Sequence, residues 1–200
     1  MLKRIFDLFF SIVGLIILAP FLLFISISII FDSKGGIFYT QKRVGKDNID
    51  FSMFKFRTMR TGSDKKGLLT IGDKDNRITK VGYFLRKYKI DELPQLINIL
   101  KGDMSFVGPR PEVRKYVDLY NSDQLIVLSI RPGLTDFSSL DFINESEILS
   151  QSTNPEETYI NTILPAKLEL CKKYIRESSL KTDFKIIYLT ILKILGKYKS

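Results

Sequence analysis

The chain has 200 residues, which suits one domain of ordinary size with its own buried core. It contains no histidine and a single cysteine, Cys171, which excludes histidine-based triads, histidine-ligated zinc, cysteine metal clusters and an internal disulfide. A net charge of +9 favours anionic partners: lipid headgroups, phosphorylated substrates or nucleic acid. Any catalysis must use carboxylates, lysine, arginine, hydroxyls or the thiol, and hard cations such as Mg²⁺ are the natural partners of the carboxylates.

Residues 1–32 are predicted to form a membrane helix. No charged residue occurs in 8–31, and a helix of that length crosses a hydrocarbon core of about 30 Å. A cleaved signal peptide is the competing interpretation. The apolar run is longer than an ordinary signal core, however, and no small-residue cleavage site follows it.

Two topologies are open for this helix: it spans the bilayer, or it is re-entrant and returns to the same side. Basic residues flank both ends, with Lys3 and Arg4 before the run and Lys34 after it. Such residues prefer the cytoplasmic side, so a re-entrant helix keeps both flanks there. Pro20 removes a backbone hydrogen bond and is predicted to kink the helix, although spanning helices also tolerate proline.

The remainder, 33–200, is predicted to be an α/β domain, mostly α-helical with a small β-hairpin. Alternating aromatic and polar residues predict strands at 37–41 and 49–59, with a turn at 44–48 between them. The polar stretch 61–76 is predicted to be a loop. Apolar residues at helical spacing predict helices at 79–88, 93–100, 112–120, 123–130, 145–150, 155–178 and 183–198.

Two of these helices carry further expectations. Pro165 is predicted to kink the helix at 155–178. The last helix is amphipathic and basic, with Lys185, Lys193 and Lys197 between its apolar residues. Helices of this kind lie on membrane surfaces, and packing against the domain core is the alternative.

Asp91 and Glu92 are adjacent carboxylates at the start of a short predicted helix. Helix N-termini favour anions, so a phosphate group can bind close to this pair. One carboxylate can attack phosphorus while its neighbour holds Mg²⁺ or manages a proton. Helix starts are often acidic for purely structural reasons, so the pair alone is weak evidence for an active site. The residues around it must supply further evidence.

Cationic residues surround the carboxylate pair along the sequence, among them Lys55, Arg57, Arg86 and Arg110. Several of them can converge on a pyrophosphate, for which arginine offers a two-pronged fork. Prolines on both sides of Arg110 hold it on a stiff backbone, which suits pre-organised phosphate binding. A solvated surface charge is the alternative for each. The sequence contains no P-loop and no Gly-x-Gly-x-x-Gly, which argues against nucleotide hydrolysis of the P-loop type and against a Rossmann site.

Five segments occur in an order that resembles the bacterial sugar transferase family, the monotopic phosphoglycosyl transferases. They are 4–7, 55–59, 91–98, 100–111 and 131–135. The resemblance covers about residues 3–135, weakens towards the C-terminus, and matches the small catalytic form of the family. It implies a re-entrant helix in the bacterial inner membrane and a compact catalytic domain on the cytoplasmic face, with amphipathic interfacial helices.

The resemblance also implies the reaction. A phosphosugar would pass from a UDP-sugar to polyprenyl (undecaprenyl) phosphate, with release of UMP, in ping-pong order through a covalent intermediate on Asp91. Glu92 would complete the catalytic dyad, and both carboxylates would hold a required Mg²⁺. The substrate-binding cations would be Lys55, Arg57, Arg86, Arg110 and Arg131.

Other interpretations remain open at this point. A non-catalytic membrane module that binds anionic lipid or acidic partners fits the charge and the basic C-terminal helix, and would leave Asp91 and Glu92 dispensable. A nucleic-acid partner is not expected, because no helix-turn-helix or RNA-binding signature is present. Membrane lipid is an expected partner, and a homodimer is left open. Residues 136–142 depart from the family pattern, so the identity of the sugar is not carried over.

Overall fold

A computed structural model describes residues 2–63 and 75–197. In these two ranges helices predominate and the strands are short, in agreement with the predicted α/β class. Helix α1 (Leu2–Asp32) leads into strands β1 (Phe38–Val44) and β2 (Asp50–Phe56). The later elements are α2 (Lys80–Lys87), a 3-10 turn (Ile90–Glu92), α3 (Gln95–Lys101), β3 (Ser105–Val107), α4 (Arg114–Val117), a 3-10 segment (Gln124–Ser129), β4 (Gly133–Thr135), α5 (Phe137–Asp141), α6 (Glu145–Ser150), α7 (Pro155–Thr158), α8 (Leu164–Arg176) and α9 (Leu180–Ile194).

Helix α1 continues through Pro20 as one helical segment. In the described part of the chain it alone has the length and the apolar composition needed to cross a membrane. Most of its apolar side chains face outward, including Phe9, Ile16 and Phe24. An exposed apolar surface of this extent marks a membrane or partner contact rather than a soluble face.

Both ends of α1 are hydrogen-bonded to the same domain. Near the start, the Arg4 guanidinium donates to the carbonyl oxygens of Ile99 (2.6 Å) and Leu100 (3.0 Å) in the last turn of α3. At the end, the Asp32 carboxylate accepts from the backbone N–H of Val81 (2.9 Å) in the first turn of α2. Such contacts satisfy backbone groups that helix ends leave unpaired.

A buried carboxylate fixes α1 between these ends. Asp7 is buried, and its Oδ1 accepts from the Ser105 hydroxyl (3.1 Å) and from the backbone N–H of Phe106 (3.1 Å). Further along, Ile25 and Ile29 pack into a core cluster with buried side chains of β2 and α2. One side of α1 therefore contacts the domain along most of its length.

Strands β1 and β2 form the predicted antiparallel hairpin, with a register that runs from Phe38 opposite Phe56 to Val44 opposite Asp50. The turn between them places Asp47 and Asn48 at positive φ, a conformation that these residue types tolerate. The first strand is longer than the predicted 37–41.

A second, parallel pair joins β3 to β4, with Ser105 opposite Gly133 and Val107 opposite Thr135. The pairing requires a close backbone approach. A Cβ atom at Gly133 would lie 2.1 Å from the backbone nitrogen of Gly108, so only glycine fits there. The pairing of β3 with β4 positions residues 106–113, several of which line the candidate active site.

The predicted helices at 79–88, 93–100 and 145–150 are confirmed. The helix predicted at 112–120 is wrong in extent, since only α4 forms there, and 123–130 contains a 3-10 segment instead of an α-helix. At 155–178 the chain forms α7, a π-helical turn (Tyr159–Ile163) and α8, with Pro165 in the first turn of α8. The change of helix type falls where proline cannot donate a backbone hydrogen bond. The predicted loop at 61–76 lies mostly outside the described residues.

Helix α9 begins three residues earlier than predicted, because the Ser179 side chain accepts from the backbone N–H of Thr182 and caps it. Its inner face packs on the core through Ile186. Its outer face leaves Phe184 and Tyr188 exposed, and the Phe184 ring lies 5.2 Å edge-on from that of Phe6 in α1. The outer face of α9 therefore continues the exposed apolar surface of α1.

Candidate active site

A cavity of about 800 Å³ opens between the β-hairpin, the 3-10 turn at Ile90–Glu92, the 106–113 segment and α9. Its volume lies in the range that pockets for small-molecule ligands and cofactors occupy. Asp91 and Glu92 line it, together with many cationic side chains. The candidate cations predicted from the sequence that line it are Lys55, Arg57, Arg86 and Arg110.

Asp91 and Glu92 are held by a tight turn directly before α3. Lys89 opens this turn in the left-handed region, at φ 56°. The backbone N–H of Glu92 donates to the Lys89 carbonyl (3.2 Å), and that of Leu93 donates to the Ile90 carbonyl (3.1 Å). A non-glycine residue in this conformation costs free energy, and such strain is concentrated at functional sites.

Glu92 is bound by two cations. Its Oε1 lies 2.9 Å from the Lys55 ammonium and also accepts from the Arg110 guanidinium, which reaches Oε2 at 3.2 Å as well. Burial alone would raise the pKa of Glu92, but Arg110 and Lys55 outweigh it and hold that pKa well below its usual range. Glu92 in turn raises the pKa of Arg110. Burial lowers the pKa of Lys55, and the nearby charge of Glu92 opposes that shift. Glu92 and Arg110 are therefore charged at neutral pH.

Asp91 has a different environment. It is 7% exposed and lines the cavity, and no residue in the described ranges hydrogen-bonds its carboxylate. Burial raises the pKa of the Asp91 carboxyl, while the nearby charges of Lys55 and Arg86 oppose that rise. Its oxygens remain available to a ligand in the cavity, whereas those of Glu92 are engaged.

The structure separates the five predicted substrate-binding cations. Lys55, Arg86 and Arg110 surround the two carboxylates. Arg57 also lines the cavity, but its guanidinium donates to backbone carbonyls at the end of α1, including that of Ser33 (2.7 Å). Arg131 does not line the cavity, and its Nε donates to the Gly102 carbonyl (2.8 Å).

The cavity also contains a hydrogen-bonded cluster of Arg43, Glu112 and Tyr159, which was not predicted from the sequence. The Glu112 carboxylate accepts from Arg43 (2.9 Å), from the backbone N–H of Val113 (2.8 Å) and from the Tyr159 hydroxyl. Burial beside this carboxylate raises the pKa of Tyr159. No local pattern could reveal the group, because Arg43, Glu112 and Tyr159 are far apart in the sequence.

The described residues contain no cluster of three or more side chains suited to a metal ion. Magnesium, however, is commonly bound through one or two carboxylates together with substrate phosphates and water. Asp91 fits that pattern, because its oxygens face the cavity. Glu92 fits it less well, since two cations occupy its oxygens.

Fold and site together define a protein with a long, outward-facing apolar helix and a cavity whose carboxylates and cations suit an anionic ligand. The chain belongs to the bacterial sugar transferase family, whose model matches residues 1–197. This confirms the family predicted from the motifs.

Three relatives illustrate the match. The chain is 34% identical over 197 residues to the UDP-N-acetylgalactosamine-undecaprenyl-phosphate N-acetylgalactosaminephosphotransferase of Aeromonas hydrophila, covering 97% of this chain and 44% of that protein. It is 32% identical over 197 residues to the UDP-glucose:undecaprenyl-phosphate glucose-1-phosphate transferase of Escherichia coli K12, covering 96% of this chain and 40% of that protein. It is 36% identical over 194 residues to the uncharacterized sugar transferase EpsL of Bacillus subtilis, covering 97% of this chain and 87% of that protein. The chain thus spans less than half the length of the first two relatives and most of the third.

Proposed function

We propose that this protein is a phosphoglycosyl transferase, which moves a sugar phosphate from a UDP-sugar to undecaprenyl phosphate and releases UMP. One observation carries the proposal: Asp91 presents a carboxylate without a hydrogen-bond partner among the described residues, beside an ion-paired Glu92, in a cavity lined with cations. The names of two relatives, which act on undecaprenyl phosphate, support the acceptor.

The proposed chemistry has two displacements at one phosphorus atom. A carboxylate oxygen of Asp91 attacks the phosphorus that carries the sugar, and the bond from that phosphorus to the bridging oxygen breaks, so UMP leaves with the electron pair. An oxygen of undecaprenyl phosphate then attacks the same phosphorus. The bond to Asp91 breaks and regenerates the carboxylate. Donor and acceptor therefore react in ping-pong order.

Glu92 has a positioning role in this proposal. As an ionised group it fixes Lys55 and Arg110 at the cavity wall through ion pairs. Cationic side chains outnumber acidic ones along the whole cavity wall, so the excess of positive charge can face the diphosphate. Charges fixed before the substrate arrives stabilise the developing negative charge without reorganisation.

We propose Mg²⁺ as the cofactor, with Asp91 as its protein ligand. When bound, the ion would neutralise charge on the diphosphate and so favour attack by an anion. Glu92 was predicted as a second ligand, but the positive charges of Lys55 and Arg110 on its oxygens favour the positioning role.

The function is tested by incubating the full chain in detergent with undecaprenyl phosphate, Mg²⁺ and one UDP-sugar at a time, and measuring UMP. We expect UMP release with one sugar or a few related sugars. Chelation of divalent cations should stop release, and added MgCl₂ should restore it. Absence of UMP with every UDP-sugar tested would contradict the proposal.

We further propose that α1 is re-entrant and that the domain lies on the cytoplasmic face of the inner membrane. A spanning helix would hold one end about 30 Å from a domain on the other side. Arg4 and Asp32, at opposite ends of α1, both hydrogen-bond to the same domain, which supports a return to one side.

Cysteines introduced at Leu2 and at Lys34 test this topology, because the native Cys171 is buried. We expect a membrane-impermeant thiol reagent added to intact cells to label neither site, and to label both after the cytoplasmic side is opened. Labelling of only one site in intact cells would show that the helix spans the membrane.

A further inference from the structure

Helix α9 forms one wall of the cavity. Ile187, Thr190, Ile191 and Ile194 line it, and their spacing of three and four residues places them on a single helix face. The Thr190 hydroxyl lies 2.7 Å from that of Thr135, which fixes this face to β4. The apolar members, Ile187, Ile191 and Ile194, are called the α9 strip below.

The α9 strip reaches the outside of the protein. Ile191 lines the cavity and is 51% exposed, so the cavity opens beside it. On the same helix, Phe184 and Tyr188 are exposed. The ring contact between Phe184 and Phe6 joins this opening to the apolar surface of α1.

The cavity lining differs between its exposed and its buried residues. Ile191, which is half exposed, marks an apolar outer end, whereas Asp91, which is 7% exposed, marks an inner end that it shares with Lys55 and Arg110. A ligand that matches both ends has a hydrocarbon chain and a terminal phosphate. A UDP-sugar has no hydrocarbon chain, so an aliphatic strip that continues to the exposed Ile191 fits the acceptor better than the donor.

We propose that the α9 strip binds the first isoprene units of the polyprenyl phosphate acceptor and guides its phosphate from the bilayer to Asp91. The inference rests on the proposed function and adds the acceptor site to it. The continuity of the opening with the apolar face of α1 places the entrance where a lipid tail can remain in hydrocarbon. The cations at the inner end complement the phosphate.

Ile191→Gln tests the strip, because it places an amide where the chain would pack. Leu195→Gln is the matched control: Leu195 is an exposed aliphatic residue just beyond α9 and does not line the cavity. The donor step is followed without acceptor, as exchange of labelled UMP into the UDP-sugar. The second step is followed as transfer to undecaprenyl phosphate.

We expect Ile191→Gln to lower kcat/KM for undecaprenyl phosphate by about tenfold and to change the exchange rate by less than about twofold. Leu195→Gln should alter neither rate. With methyl phosphate, which has no isoprene unit, as acceptor, any transfer should be equal in Ile191→Gln and the unsubstituted protein, since no hydrocarbon chain reaches the strip.

Ile194→Gln provides a second variant in case Ile191→Gln fails to fold, and the same division between the two steps is expected of it. The inference is overturned if both strip variants transfer at the normal rate, or if each slows exchange and transfer equally. Absence of exchange in the unsubstituted protein with every UDP-sugar would instead contradict the proposed function.

Discussion

Asp91→Asn is expected to lower UMP release by at least about a thousandfold, because an amide oxygen is too weak a nucleophile to displace UMP from phosphorus. The substitution preserves the shape of the side chain and its position before α3. Since no described residue hydrogen-bonds the Asp91 carboxylate, its replacement breaks no contact that holds the fold. The melting temperature should therefore stay close to that of the unsubstituted protein, measured on the same preparation.

The covalent step has a direct signature. With UDP-sugar and no acceptor, the peptide that contains Asp91 should gain the mass of one phosphosugar, and Asp91→Asn should not. Asp141→Asn is the matched control, since Asp141 is an exposed aspartate that does not line the cavity. Full turnover in Asp91→Asn, or product accumulation without added mass on this peptide, would remove Asp91 from the mechanism.

Local patterns sufficed for the parts of the fold that local forces determine. Alternating residues predicted the hairpin, and helical spacing predicted α2. The structure adds that the Thr79 side chain caps α2. The carboxylate pair could be found because Asp91 and Glu92 are neighbours in the sequence. The different roles of the two carboxylates could not be predicted, because the ion-pair partners of Glu92, Lys55 and Arg110, lie 37 and 18 positions away in the sequence.

The parallel pair of β3 and β4 shows where local patterns fail. Each strand has three residues, too few for a periodic signal, and Ser105 and Gly133 are brought together only by the tertiary fold. Arg57 illustrates the same limit for the site. It shares a motif with Lys55, yet its guanidinium caps the end of α1, an element more than twenty positions earlier.

Glu92→Gln is expected to have the second-largest effect, on stability as well as activity. It leaves Lys55 and Arg110 without a full counter-charge in a buried pocket, which costs about 3 kcal/mol of unfolding free energy. Turnover should fall about a hundredfold, because the two cations no longer hold one geometry around the diphosphate. Thermal unfolding and UMP release on the same sample measure both effects.

The pH dependence of the unfolding free energy distinguishes two causes of destabilisation in Glu92→Gln, the loss of the ion pair and the loss of packing. The pKa of Glu92 in the folded protein is depressed, so its contribution is present above its unfolded pKa and is lost as the pH falls towards the folded value. The stability difference between the unsubstituted protein and Glu92→Gln should therefore narrow on acidification below about pH 4.5. Glu147→Gln is the control, since Glu147 is exposed and lines no part of the cavity. A difference that stays constant with pH would mean that Glu92 acts through its shape rather than its charge, and the two cations would then need another explanation for their positions.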